Sequence, residues 1–303
     1  PLQNYILDTN DKVDFVSEDF FDCRRINLYL KKNTKRKRNK TLVSKKNKGK
    51  VIIEFVGRSK SQVTSSAIMV SYPVANDKYE RILVEFGQSQ TNKSLYEEYC
   101  LNKEVVQNVE SYDNINACFI LHSHLWELDH IGLLPSLVNN HINIPIITTH
   151  ENRVLIEPLL IDAAYIMNRN VKALANKKYK VEPLFTESDV YLTMNNVIEK
   201  SVGEIHKLNE RVSYQFVNAG HILGSTQLIL YVKSLSGNIK KIHVTSDLGS
   251  RYNQAPFVKD KEIVNSSSVS VFKATYNDFN RGFKSKKEVE KERVKLINLI
   301  KKE

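Results

Sequence analysis

No run of about 18 apolar residues occurs in this 303-residue chain, so no segment reads as a membrane-spanning helix. The polar start, PLQNYILDTNDK, lacks the apolar core of a signal peptide, and cytoplasm is the expected location. Cysteine is scarce. Cys23, Cys100 and Cys118 are odd in number and far apart, which argues against a disulfide framework and a cysteine-type zinc site and fits a reducing interior. Internal repeats are absent. Tryptophan occurs once, at Trp126, and histidine only eight times, so the places where histidines gather are informative.

Basic residues concentrate in one acid-free stretch. Residues 31–50, KKNTKRKRNKTLVSKKNKGK, hold eleven Lys and Arg and no carboxylate. Without them the chain has 34 basic and 34 acidic residues, so the whole net charge of +11 belongs to this arm. Two readings stay open: a solvated spacer, or an electrostatic tether for phosphate backbones through residues such as Lys35, Arg36, Lys37 and Arg38. Charge of this kind confers affinity but no sequence specificity.

Past the arm, VIIEFVG (51–57), SSAIMVSYPV (65–74) and RILVEFG (81–87) read as a β-meander. A helix over 95–109 follows, then a short apolar strand, ACFILHSH (117–124), ending in two histidines. IGLLPSLV (131–138) starts a helix and IPIITTH (144–150) is a strand. Residues 152–167 form an amphipathic helix with Leu155, Leu159, Ala163 and Ile166 on its stripe. Thr186 and Asp189 mark a capped helix start, and VSYQFVNAG, TQLILYV, KIHVTSD and VSVFKATY (269–276) are strands. A last helical pattern covers 286–302. Meanders mixed with helix-linked strands predict two packed sheets with helices outside, an αββα sandwich of the α+β kind, rather than a doubly wound sheet.

Three histidines and an aspartate fall within nine residues of HSHLWELDH: His122, His124, Asp129 and His130. A lone histidine on an apolar segment is usually structural. Four such groups just after a buried strand are a ligand set, because imidazole and carboxylate are what zinc-like ions take. In an extended segment His122 and His124 point to one side and can chelate one ion together. His243 reads as a sheet residue, and His141 and His206 as loop or helix-surface residues. His150, at a strand end, is a weak site candidate. Trp126 either packs as a plug or stacks on a base.

These motifs resemble those of the metallo-β-lactamase-fold enzymes, which carry H-x-H-x-D-H at a strand end, often followed by I-G-x-x-P. Here the order is HSH, LWEL, DHIGLLP, with three extra residues between His124 and Asp129. FVNAGHILGS (216–225) matches the next histidine motif, VTSDLGSRY (244–252) the strand end with a bridging aspartate, and ILVEFGQSQ (82–90) the first acidic motif, with Glu85 where Asp is usual. LFTESDVYLTMNNV, GHILGS, SDLGS and FKATYNDF, in that order, are similar to the β-CASP nucleases, the group that includes ribonuclease J and the endonuclease of pre-mRNA 3′-end cleavage. Lys273 stands where that group has an acid, and two later histidine motifs of the group would lie beyond Glu303.

The resemblance implies a division into an extension (1–50), a metallo-β-lactamase-like domain (51–255) and the start of a β-CASP-like region (256–303). It implies His122, His124 and His221 around one ion, Asp129 and His130 around a second, and Asp247 between them. Asp129 is the implied catalytic residue, orienting a water activated by two ions about 3.5–4 Å apart. Zinc is the expected metal, one or two ions per chain, with the first tight and the second weak or absent. The insert within Leu125–Leu128 either bulges out or shifts Asp129 and His130; a register that uses Glu127 instead forfeits His122 and His124. The expected function is metal-dependent hydrolysis of RNA, favoured over DNA, with no membrane partner; a homo-oligomer or complex subunit is compatible with it. The alternatives are a catalytically weakened nucleic-acid- or partner-binding paralogue and a small-molecule hydrolase of the same fold.

Deleting residues 31–50 should abolish most salt-sensitive binding to single-stranded RNA without unfolding the chain, since so polar a segment buries little. Affinity measured against salt concentration checks this. An unchanged affinity and salt slope would place the binding elsewhere.

Overall fold

A computed structural model describes residues 49–58, 64–91, 93–124, 128–249, 258–273 and 286–301. The basic arm through residue 48, including Lys35, Arg36, Lys37 and Arg38, lies outside the described residues. So do residues 1–30, Trp126, Glu127, and the stretches 250–257 and 274–285.

Strands β1 (Ile52–Phe55), β2 (Ile68–Ala75) and β3 (Lys78–Val84) pair antiparallel as the expected meander. Asn76 and Asp77 make the two-residue turn between β2 and β3, where Ala75 pairs with Lys78. The chain then changes habit. β4 (Ile115–Phe119), β5 (Ile146–Thr148) and β6 (Val197–Glu199) join in parallel, which requires crossovers. Helices α1 (Leu95–Glu110), α2 (Leu134–Asn139), α3 (His150–Asn176) and α4 (Glu187–Met194) supply them. Capping boxes start two of these helices, Ser94 with Glu97 and Thr186 with Asp189. The result is a six-stranded sheet in sequence order.

The second sheet has five strands, in the order β11 (Val269–Val271), β10 (Ile239–Thr245), β9 (Thr226–Lys233), β8 (Val212–Asn218), β7 (Ile205–Lys207). It is antiparallel except for the β10–β11 pair. Alternation decides what each face does. Ile82, Val84, Ala117, Phe119 and Leu121 of the first sheet meet Tyr214, Phe216, Leu228, Leu230 and Val244 of the second in one buried layer. The opposite residues of the first sheet, Met69, Leu83, Cys118 and Ile146, pack under the helices against Val105, Leu137, Ile156, Leu160 and Met167. This is a mixed α/β sandwich of two sheets, as expected. A final helix, α5 (Lys286–Ile300), is exposed along its described side chains.

Four local readings are corrected. The strand before the histidines stops at Phe119, so His122 and His124 leave the sheet as a loop. The IPIITTH strand stops at Thr148 because Thr149 caps α3, making His150 the first helical residue; there it bonds Glu199 on the surface at 2.9 Å. The buried stripe of α3 runs through Asn152, Ile156, Leu160, Ala163, Ala164 and Met167, one residue off the expected Leu155–Leu159 row. His206 lies on the edge strand β7 rather than in a loop or helix.

Phe119 is fully buried between the sheets, edge-on to Tyr214 at 4.7 Å and Phe216 at 6.1 Å. Phe119→Ala should cost about 3–5 kcal/mol of folding stability, read by denaturant titration. A loss below about 1 kcal/mol would mean that the sheets do not meet there.

Candidate metal centre

The functional residues sit where strands end. Glu85 follows β3, His122 follows β4, His221 follows β8, and Asp247 follows β10. Side chains at strand ends project into a cleft rather than into the packed layer. The loop from Leu121 is clamped by the second sheet and by α3: Leu121 O accepts from Thr226 N at 2.8 Å, from Thr226 Oγ1 at 3.1 Å and from Asn152 Nδ2 at 3.2 Å. Leu128 to Leu133 is held by the extension of β3. Phe86 N donates to His130 O, Gln88 N to Leu128 O and Ser66 N to Asp129 O, each at 2.8 Å. Gly87 is required there, since a Cβ would stand 1.4 Å from the carbonyl oxygen of Asp129. Both flanks of the three-residue insert are therefore pinned beside the same cleft.

The His221 loop is a tight turn. Ser225 Oγ accepts from His221 N at 3.2 Å and Ile222 N at 3.1 Å, so Ser225 serves the turn. A Cβ on Gly249 would lie 1.5 Å from Gly220 O, which packs the strand end carrying Asp247 directly against this loop.

His122 and His221 converge on one carboxylate. Asp247 Oδ2 is 3.6 Å from His122 Nε2 and 4.0 Å from His221 Nε2. A tetrahedral ion with bonds of about 2.0–2.2 Å spaces its donors roughly 3.3–3.6 Å apart, so a small inward movement would close this trio on an ion. His122 Nε2 is buried and has no hydrogen-bond partner. Its other nitrogen lies 2.6 Å from Ser246 Oγ, and when Nδ1 donates there the Nε2 lone pair faces the trio. Burial, and next the charge on His130, hold the His122 pKa well below the usual imidazole value. Burial likewise lowers that of His221. Both are neutral at neutral pH, as ligands must be. These residues fit one divalent ion.

His124 stands beside the trio. Its ring stacks on His221 at 5.7 Å and lies 6.0 Å from that of His122, outside either tight donor group. The early end of β4 accounts for this, because strict two-residue alternation lapses in the loop.

Asp129 and His130 are fully buried and make a second cluster with Glu85 and Lys273. His130 Nδ1 is 2.7 Å from Glu85 Oε1 and 3.3 Å from Ser246 Oγ, while Nε2 is 3.2 Å from Asp129 Oδ2 and 3.7 Å from Asp247 Oδ2. Glu85 holds a left-handed backbone, φ 61°, a conformation that a non-glycine residue rarely adopts away from functional sites. Lys273, two residues past β11, touches Asp129 Oδ2, comes within 2.7 Å of His130 Nε2 and within 3.4 Å of Asp247 Oδ1. Burial alone would raise the Asp247 carboxyl, but the hydrogen bond to His130 and the Lys273 ammonium outweigh it and hold the pKa well below the carboxylate range. Burial opposes a charge on His130, whereas Glu85 and Asp129 favour one strongly enough to raise its pKa. His130 Nε2 thus lies within hydrogen-bond distance of both the Asp129 carboxylate and the Lys273 ammonium.

Sequence reasoning missed Ser246, which nothing but its place before Asp247 marks, and saw Glu85 and Lys273 only as departures from a pattern. His243 is the expected sheet residue, buried and bonded to Gln227 at 2.9 Å.

No family model matches the chain. A probable RNase, MJ4 of Methanocaldococcus jannaschii, is 31% identical over 153 residues, 50% of this chain and 32% of that protein. Transcription termination factor FttA of Thermococcus kodakarensis is 31% identical over 44% of this chain and 18% of its own length. Ribonuclease TTHA0252 of Thermus thermophilus is 26% identical over 54% and 32%. The chain thus spans about a third or less of the length of these relatives. Among solved structures, Rm3 metallo-beta-lactamase matches 64% of this chain and 61% of its own at 11% identity and a TM-score of 0.36, too loose a likeness to add to the topology above.

Ser246→Ala should weaken zinc binding roughly 10–100-fold without unfolding the protein, because His122 loses the group that fixes its tautomer and orientation. Competition with a chromophoric chelator measures it. Unchanged affinity would mean that Ser246 does not hold the ligand. Over about half of its length the chain is thus similar to proteins named as ribonucleases and a transcription termination factor, which is consistent with the metallo-β-lactamase-fold superfamily and its β-CASP nuclease branch.

Proposed function

We propose that this chain is the metal-binding part of a metal-dependent hydrolase that cleaves RNA phosphodiesters. The observation that carries the reading is the convergence of His122, His221 and Asp247 donor atoms in one partly buried cluster at the strand ends. Two relatives named as ribonucleases support RNA as the substrate class. Zinc is the metal best suited to two neutral imidazoles and a carboxylate, with His124 as a further ligand after a ring rotation. When bound, such an ion lowers the pKa of a water and polarises a phosphoryl oxygen.

The chain's own groups do the rest. Asp129 Oδ1 is buried without a hydrogen-bond partner, so it is the acceptor for the proton of the attacking water. Ser246 and Glu85 orient His122 and His130. Lys273 offers positive charge beside the cleft, where a phosphate's developing charge falls. The proposed metal-binding unit includes Lys273, which follows β11, a strand paired with β10. The arm at 31–50 is the proposed holder of RNA outside the cleft.

One observation favours a second reading, a catalytically weakened RNA-binding paralogue: Asp129 Oδ2 is already engaged by Lys273. Cleavage of a labelled single-stranded RNA with added zinc or manganese separates the two. The expected result is slow, ion-dependent cleavage that Asp247→Ala removes and Asp129→Ala lowers roughly 10²–10⁴-fold. RNA binding with an ion held but no cleavage would sink the hydrolase and leave the binding protein.

A further inference from the structure

We propose that the side chain of Lys273 takes the place of the second metal ion, so that the centre holds one divalent ion and one built-in ammonium. The inference rests on reading His122, His221 and Asp247 as the ligands of the first ion. It concerns the other half of the cluster, where the structure and the resemblance disagree.

By resemblance, Asp129, His130 and Asp247 should surround a second ion. Those are the residues that Lys273 Nζ touches: Asp129 Oδ2 in direct contact, His130 Nε2 at 2.7 Å and Asp247 Oδ1 at 3.4 Å. The ammonium approaches Oδ1 of the bridging carboxylate, while His122, His221 and His130 face Oδ2. An ion bonded to Asp129 and His130 at about 2.0–2.2 Å would lie within roughly 3 Å of the ammonium nitrogen, closer than two cations tolerate in a site with little water. The two occupants exclude each other.

Lys273 is held there by more than charge. Its side chain is only 11% exposed, and its backbone N–H donates to Thr245 Oγ1 at 3.3 Å, fastening it to the end of β10 just before Ser246 and Asp247. Strand β11 delivers it. Val271 pairs with Val244 and leaves Lys273 level with the strand end, where the cluster begins. An acid at this position could not do the same, since it would add a carboxyl group to Glu85, Asp129 and Asp247. The sequence departure and the altered centre are one event: a fixed monovalent cation in place of an exchangeable divalent one.

Ion stoichiometry by native mass spectrometry, with melting of the ion-free protein, tests this without any assay of turnover. Wild type should saturate at one zinc per chain and Lys273→Arg should remain at one. Lys273→Ala should accept two. Its ion-free form should melt roughly 5–15 °C lower, because buried carboxyl groups lose their counter-charge, and should recover when zinc is added. Wild type saturating at two ions, or Lys273→Ala melting like wild type, overturns the proposal. Should Lys273→Ala not fold, Lys273→Met and the wild-type stoichiometry decide it. Wild type that binds no ion would instead contradict the ligand reading of the previous section, and the melting comparison would still judge the lysine.

Discussion

Gathering Glu85, Asp129, Asp247, His122 and His130 in a space with almost no exposure has a desolvation cost that the apolar layers cannot offset, and only positive charge can. Asp247 is the pivot of that constraint. One oxygen faces two neutral imidazoles and the other an ammonium, so this single carboxylate links the ligand trio to the Lys273 cluster. His122 and His221 are kept neutral by burial, and Asp247 is kept ionised by its cationic and imidazole neighbours. A centre wired this way has charge demand on both sides of one group.

The fold exists, in this sense, to bring four strand ends to one edge. Neither sheet alone could do it: Glu85, His122, Asp129 and His130 come from the six-stranded sheet, His221 and Asp247 from the other. What joins them is the layer around Phe119, Tyr214 and Phe216, together with Thr226, whose bonds to Leu121 O fix one sheet against the histidine loop of the other. Tight backbone approaches do the fine positioning. Gly87 lets β3 run against the Asp129–His130 segment, and Gly249 lets the Asp247 strand end lie on the His221 loop. Each glycine sits where any side chain would push a ligand away.

Period-two apolar alternation made the strands and the two-sheet architecture readable, and the capping residue Thr186 marked a helix start where it is found. The dense HSHLWELDH cluster stood out because four ligand-type residues rarely fall so close together by chance. Other features were not legible. Where β4 ends is set by pairing with β3 and β5, not by its own residues, so the loop path of His122 and His124 and the offset of His124 could not be read. The stripe of α3 lies one position from the expected row because Leu155 and Leu159 sit beside the equally apolar Ile156 and Leu160, and only packing in the core chooses between them. Ser246 and Glu85 act through tertiary contacts across 124 and 45 positions, which no local pattern encodes.

Lys273 shows how a departure from a family pattern gains meaning only in three dimensions. In the sequence it is a basic residue where an acid is usual, which reads as damage. In the fold, its ammonium answers the charge demand that Asp129 and Asp247 create, so the cluster remains balanced. An ammonium and a metal ion are not equivalent in chemistry. Lysine neutralises carboxylates and binds phosphate oxygens, but it has no open coordination position and cannot sharpen a water into a nucleophile. Charge balance and substrate contact can therefore survive such an exchange, while the rate of hydrolysis depends entirely on the ion held by the other half of the centre. The fold can therefore keep its charge balance with an ammonium in that half of the centre, although the chemistry open to it is then different.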